Sequence, residues 1–181
     1  MKFAITGHTR GLGAAIVRQL SYGHSVVGFS KSTGYNILDK EDRKLIIEQS
    51  SDCHVFVNNA HRKYAQTELL FEMVDRWQGT KKHIIVISTI MTQTPLSSLP
   101  GLAMDQYRIQ KIALEESVKQ IRNHKLGVGF TIVRPGNIAT DPTKTVPPAA
   151  DVNNWARTLI NLLDMAKNNN LKISDISLGP I

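Results

Sequence analysis

The sequence is poor in the features that mark several classes of protein. Its 181 residues hold one cysteine, Cys53, which excludes an internal disulfide framework and fits a reducing compartment. Cys53 reads as a small apolar residue just before a strand. No apolar run approaches the roughly 18 residues needed to cross a bilayer. The opening Met1-Lys2-Phe3 stretch enters a strand-like run with neither an h-region nor a small-residue cleavage site. A soluble cytoplasmic chain without a membrane partner is expected. Aromatics make up only 6% of the residues, and no basic stripe interleaves with them. The formal charge is +7, but Lys and Arg are scattered and the densest run is Lys81-Lys82-His83. Nucleic acid is therefore not an expected partner, and the charge reads as a solvated surface biased towards phosphorylated ligands. Internal repeats, low-complexity segments and long linkers are all missing, so residues 1–181 are expected to form one domain.

What is present is alternation. Apolar strand-like runs at 3–6, 25–29, 35–37, 55–57, 84–87, 129–133 and 171–178 are separated by helical patterns. The helices are expected from Leu12 to Leu20, Lys40 to Gln49, Gln66 to Gln78, Met104 to Asn123 and near 151–167. Fully apolar strands between helices predict a parallel sheet covered on both faces. The expected fold is α/β, a doubly wound Rossmann-type sheet of about seven strands.

Thr6-Gly7-His8-Thr9-Arg10-Gly11-Leu12-Gly13 falls between the first strand and the first helix. Gly7 permits a tight turn, Gly11 lets the backbone approach a pyrophosphate, and Gly13 allows helix and strand to pack closely. The helix N-terminus offers unpaired N–H groups to phosphates. Cofactor choice is written after the second strand, where an acid would hold a ribose 2′-OH and repel a 2′-phosphate. Here the residues are Phe29-Ser30-Lys31-Ser32. Lys31, the hydroxyls and the planar fork of Arg10 can hold a phosphate, which favours NADPH over NADH.

Tyr107 and Lys111 lie four residues apart on one helical face. A free tyrosine has a pKa of about 10, and a nearby ammonium is expected to lower it. Such a phenol can pass a proton to or from a carbonyl oxygen. Taken together, the glycine loop, Asn58-Asn59-Ala60, Ser88-Thr89, Tyr107 with Lys111, and Pro135-Gly136-Asn137-Ile138-Ala139-Thr140 resemble the short-chain dehydrogenase/reductase family. The likeness runs along almost the whole chain, in order.

The resemblance implies roles. Tyr107 is the implied acid/base, and Lys111 would hold the nicotinamide ribose. A hydroxyl from Ser88 or Thr89 would bind the substrate carbonyl; register favours Thr89, chemistry does not separate the two. Asn36-Ile37 would meet adenine, and Asn59-Ala60 would line the adenosine ribose. Pro135 and Gly136 open the last motif, in which Ile138 would contact the carboxamide and Thr140 the phosphates. The implied reaction is NADPH-dependent reduction of a small-molecule ketone or aldehyde, with a 3-oxoacyl compound as one candidate. Pterin or quinone reduction is a second enzyme class.

The sequence also departs from the family pattern. His61 stands where a glycine is usual, and reads as a loop residue beside the cofactor. The family's catalytic asparagine has no counterpart, since no Asn lies between Asn59 and Asn123; water supported by Gln66 is one replacement. The segment from Asp141 to Asp151 is short for a substrate lid, and its prolines Pro142, Pro147 and Pro148 limit its freedom. The loop from Thr89 to Tyr107 is longer than usual and carries Met91, Leu96, Leu99, Leu102 and Met104, which could enclose substrate instead. On the helix after Tyr107, apolar residues around more than one face, including Leu114, Val118, Ile109 and Ile112, point to burial against the sheet and a partner copy. The resemblance implies a homodimer or homotetramer. The missing asparagine and lid keep open a non-enzymatic alternative, an NADP(H)-binding sensor or scaffold; the retained Tyr107 and Lys111 argue against it.

Overall fold

A computed structural model describes residues 1–94, 101–140, 143 and 148–180. Its main sheet consists of β1 (Lys2–Thr6), β2 (Ser25–Phe29), β3 (Val55–Asn58), β4 (His83–Ile87), β5 (Gly129–Pro135) and β8 (Asp175–Leu178). Two short strands, β6 (Ile138–Ala139) and β7 (Ala150–Asp151), form a separate ribbon. The helices are α1 (Gly11–Leu20), α2 (Lys40–Gln49), α3 (Ala65–Trp77), α4 (Leu102–Asn123) and α5 (Val152–Asn168).

All pairings in the main sheet are parallel, in the order β2-β1-β3-β4-β5-β8. Side chains alternate across a strand, and here both faces are apolar. Ala4, Phe56, Ile84, Val86, Phe130 and Ile132 pack with Ile46 of α2, Leu69, Leu70 and Met73 of α3, and Leu114 and Val118 of α4. Their neighbours Phe3, Ile5, Val57, Ile85, Ile87 and Val133 face Ile16 and Leu20 of α1 and Trp155 and Leu159 of α5. Cys53 is a free, fully buried member of the first cluster.

The expected strand at Tyr35-Asn36-Ile37 does not form, so the sheet has six strands rather than about seven and β2 is its edge. The cause is local. Gly34 turns the chain with φ +91°, the Asn36 amide donates to the Asp42 carboxylate (2.8 Å), and Arg43 donates to the carbonyls of Ile37 (2.9 Å) and Leu38 (3.3 Å). Groups that a ladder needs are thus bonded to side chains of α2.

From β2 the chain crosses over β1 to reach β3, so the order reverses between β1 and β3. Ligands of open α/β sheets bind outside the carboxyl ends of the strands at such a point.

Candidate functional site

The turn after β1 is the floor of the site. Gly7 adopts φ +73°, and its amide donates to Phe29 O at 2.6 Å, tying the turn to the end of β2. A side chain on Gly13 would place its Cβ 2.0 Å from Gly7 O, so only glycine lets α1 start this close to the turn. Arg10 occupies the N-cap without a side-chain cap bond, and the first turn of α1 holds no acid. The N–H groups there face the turn uncapped. The Thr6 hydroxyl accepts from the amides of Asn59 (3.1 Å) and Ala60 (3.0 Å), and Asn59 Nδ2 donates to Thr6 O (2.9 Å). These bonds fix the end of β3 beside the glycine turn.

A cavity of about 810 Å³ opens over this floor. Gly7, Thr9, Arg10, Leu12, Gly13, Ser30, Lys31, Asn36, Ile37, Asn59 and Ala60 line it, all of them expected from the sequence. Tyr35 and Arg62 also line it and were not foreseen; nothing in their spacing singles them out. Gly11 lies just outside the lining, and a methyl group on it would come within 3.5 Å of Thr140, which brings Thr140 over the turn. No acidic residue lines the cavity among the described residues. At its rim the hydroxyls form a cluster: Ser32 Oγ lies 2.9 Å from both Thr9 Oγ1 and Ser30 Oγ.

Tyr107 and Lys111 stand one turn apart on α4, but they do not line this cavity. Lys111 is only 2% exposed. Its Nζ donates to Gln66 Oε1 and to Ile87 O, both at 2.8 Å, and lies 5.7 Å from the centre of the Tyr107 ring. Both Gln66 donors are spent in turn, its Nε2 donating to Asn58 O (2.8 Å) and Ile87 O (3.0 Å). The residue suggested as a support for the missing asparagine therefore meets the lysine directly.

The electrostatics differ from the expectation. Burial pushes the Tyr107 phenol above its ordinary range, while a hydrogen bond with Thr89 works the other way. Lys111, also through burial, drops to about 7, opposed by the Glu115 carboxylate. Proximity to the lysine does not give Tyr107 a depressed pKa, because desolvation dominates.

The structure separates the two neighbouring hydroxyls. Ser88 Oγ donates to Glu115 Oε1 at 2.5 Å. Glu115 is clamped by Arg134 through bonds of 2.7–3.0 Å, and both side chains are 7% exposed. Thr89 instead faces Tyr107 and caps the following 3-10 turn at Ile90–Gln93. Beyond β5, Gly136 approaches Gly179 so closely that a Cβ would come within 2.6 Å of it. Pro135 ends β5, and Ile138 pairs with Ala150 in the β6–β7 ribbon. Pro135, Gly136 and Ile138 do not line the cavity.

His61 is the remaining wall. Its ring packs edge-to-face on Tyr107, with centroids 4.9 Å apart at 86°. Burial and the Lys111 charge lower it to about 4, so it is neutral at physiological pH. Leu102 and Met104, expected in the loop before the helix, belong to the first turn of α4 and are exposed, while Leu96 and Leu99 lie outside the described residues. So do Asp141, Pro142 and Pro147 of the short segment after Thr140.

Solved structures share this fold. A short-chain dehydrogenase from Burkholderia cenocepacia, solved with NADP, superposes with a TM-score of 0.79 at 17% identity, over 99% of this chain and 88% of that one. The chain has the short-chain dehydrogenase fold. An alcohol dehydrogenase from the archaeon Thermococcus sibiricus, complexed with 5-hydroxy-NADP, gives 0.76 at 19% identity, covering 100% and 97%. A 3-ketoacyl-(acyl-carrier-protein) reductase from Brucella melitensis, complexed with NADH, gives 0.77 at 13%, covering 98% and 96%. No protein-family model matches the sequence, and no curated protein does. At these identities the likeness is one of fold. Among the described residues no helix is long and apolar enough to cross a membrane, and no cluster of metal-ligating side chains occurs.

Proposed function

We propose that the chain is an NADPH-dependent oxidoreductase of the short-chain dehydrogenase/reductase family that reduces the carbonyl of a ketone or aldehyde. The observation that carries this is one juxtaposition. An acid-free cavity on a glycine turn ends at His61, whose ring packs on Tyr107, and Thr89 acts on the Tyr107 phenol.

The residues fit the dinucleotide. The cavity has the size of a ligand site, and the uncapped start of α1 suits a pyrophosphate. Arg10, Lys31 and the Thr9–Ser30–Ser32 hydroxyls suit a 2′-phosphate. Asn36 and Ile37 would flank adenine, Asn59 and Ala60 the ribose, and Gly11 and Thr140 the phosphates, with Pro135, Gly136 and Ile138 towards the carboxamide. When bound, the cofactor supplies the hydride. Thr89 would orient the carbonyl oxygen, and Tyr107 would give that oxygen its proton. A phenol held above its ordinary range is protonated at neutral pH, which suits an acid in reduction better than a base in oxidation. When protonated, Lys111 keeps one of its three N–H donors beyond the two it spends on Gln66 and Ile87, for the nicotinamide ribose.

The fold of the Brucella reductase supports placing a 3-oxoacyl thioester first in a substrate panel. Exposed apolar side chains on α4 support a homo-oligomer. One observation favours the sensor instead: the Lys111 ammonium is covered. Cofactor fluorescence followed by NADPH consumption across carbonyl substrates decides. Tyr107→Phe is expected to lower kcat on the order of 10²–10⁴-fold, as for loss of a general acid, with NADPH binding kept. Binding without turnover on any carbonyl would establish the sensor, and no binding would sink both.

A further inference from the structure

His61 follows Asn59-Ala60 on the turn after β3, at a position where the resembled family has a glycine. The cavity wall ends at His61 and Arg62. On its other side the imidazole edge meets the Tyr107 ring. The Lys111 charge acts on it, and hydrogen bonding to the Gln66 and Gln110 side chains, which the displaced ring would give up, holds it in place. The ring thus stands between this cavity and Tyr107. On one side the adenosine end is open, with Arg10, Ser30, Lys31 and Asn59 in its wall. On the other, Tyr107 and the 2% exposed Lys111 are shut off from it. Yet His61 Nδ1 is buried without a hydrogen-bond partner, so that nitrogen does not anchor the ring where it stands. An unpaired buried nitrogen is a standing cost that is relieved when the ring turns out to water.

We propose that His61 is a swinging partition that gates the nicotinamide end of the cavity. The adenosine 2′-phosphate half docks on the open surface, and the nicotinamide half enters only once the imidazole has left Tyr107. This rests on the dinucleotide reading above. A ligand that needs the displaced ring binds with its intrinsic affinity reduced by the fraction of molecules in which the ring is displaced. A ligand that stops at the adenosine half escapes that reduction.

The test is calorimetric titration of NADPH and of adenosine 2′,5′-bisphosphate into the wild type, His61→Gly and His61→Ala, each checked for folding by thermal melting. His61→Ala restricts the backbone and stands in if glycine loosens the turn. Both variants are expected to bind NADPH about tenfold tighter, equivalent to ~1.4 kcal/mol, with the bisphosphate unchanged. Unchanged NADPH affinity beside normal bisphosphate binding overturns the gate. So does equal tightening of both ligands, which would mean that the ring merely crowds the whole cavity. If neither ligand binds the wild type, the dinucleotide reading fails and the gate falls with it.

Discussion

Ser88 and Thr89 carry the same functional group, and only their surroundings divide the work. The Ser88 proton is committed to Glu115, a buried carboxylate that also accepts from Thr92 and Arg134. A buried charge left without its partner costs about 3–5 kcal/mol, so this cluster is structural ballast under the site. Thr89 has its hydroxyl on the Tyr107 side. Thr89→Val is therefore expected to lower kcat on the order of 10²–10³-fold, the cost of losing one donor to a developing oxyanion, with a stability loss of about 0.5–1 kcal/mol from the lost cap on the Met91 amide. Ser88→Ala is expected to cost about 1 kcal/mol in urea unfolding and to leave kcat close to the wild type. Steady-state kinetics paired with unfolding curves checks this, and the reverse pattern would reassign the hydroxyl. The sequence could narrow the choice to these two residues but not make it. That decision depends on Glu115 and Arg134, which are adjacent to neither in the chain. The same holds for Lys111: spacing shows that it shares a helical face with Tyr107, but not that Gln66 and Ile87 hold its ammonium in a dry place.

At the scale of elements, the segment between β2 and α2 shows where pattern reading succeeds and where it fails. The α2 range matched the sequence reading to the residue, and in the structure Asp39 caps it by accepting from the Glu41 and Asp42 amides. The strand ahead of it did not, because Tyr35-Asn36-Ile37 has strand-like composition while its backbone bonds to α2. Arg43 is the main agent. It pairs with Glu72 through two 2.9 Å bonds and with Glu68 at 3.0 Å, besides holding the Ile37 and Leu38 carbonyls. Arg43→Met keeps the stem packed but orphans those carbonyls. It is expected to cost about 1–3 kcal/mol of stability, the range for buried groups left unpaired. Because Asn36 and Ile37 line the cavity, NADPH affinity should fall as well. Denaturant unfolding and NADPH titration on the same variant test the link; a stability loss with intact affinity would show that the segment does not shape the cofactor end. The β6–β7 ribbon was equally illegible, since two-residue strands carry no period.

At the scale of the molecule, the helices over one face of the sheet keep apolar side chains turned outward. On the α2–α3–α4 side, apolar side chains remain on the outer surface: Phe71 of α3 is 47% exposed, and Ile109 and Ile112 of α4 are 50% and 38% exposed. The same helix turns Leu114, Val118 and Ile121 into the core. The sequence expectation of a helix with two apolar faces thus has one face accounted for by the sheet. Scattered exposed hydrophobics need no explanation, but neighbouring ones on adjacent helices mark a surface suited to burial. A twofold arrangement would pair such a patch with its own copy, and the covered Lys111 lies on the inner side of that same α4. Ile109→Glu with Ile112→Glu places two carboxylates on each copy at that surface, where like charges oppose self-association. Light scattering after size exclusion is expected to show a dimer or larger assembly for the wild type and a folded monomer for the double variant. If α4 positions Tyr107 only when braced by its partner, turnover should fall with dissociation while the adenosine bisphosphate still binds. A wild-type monomer with full activity would place the whole site within one chain and leave the patch without that role.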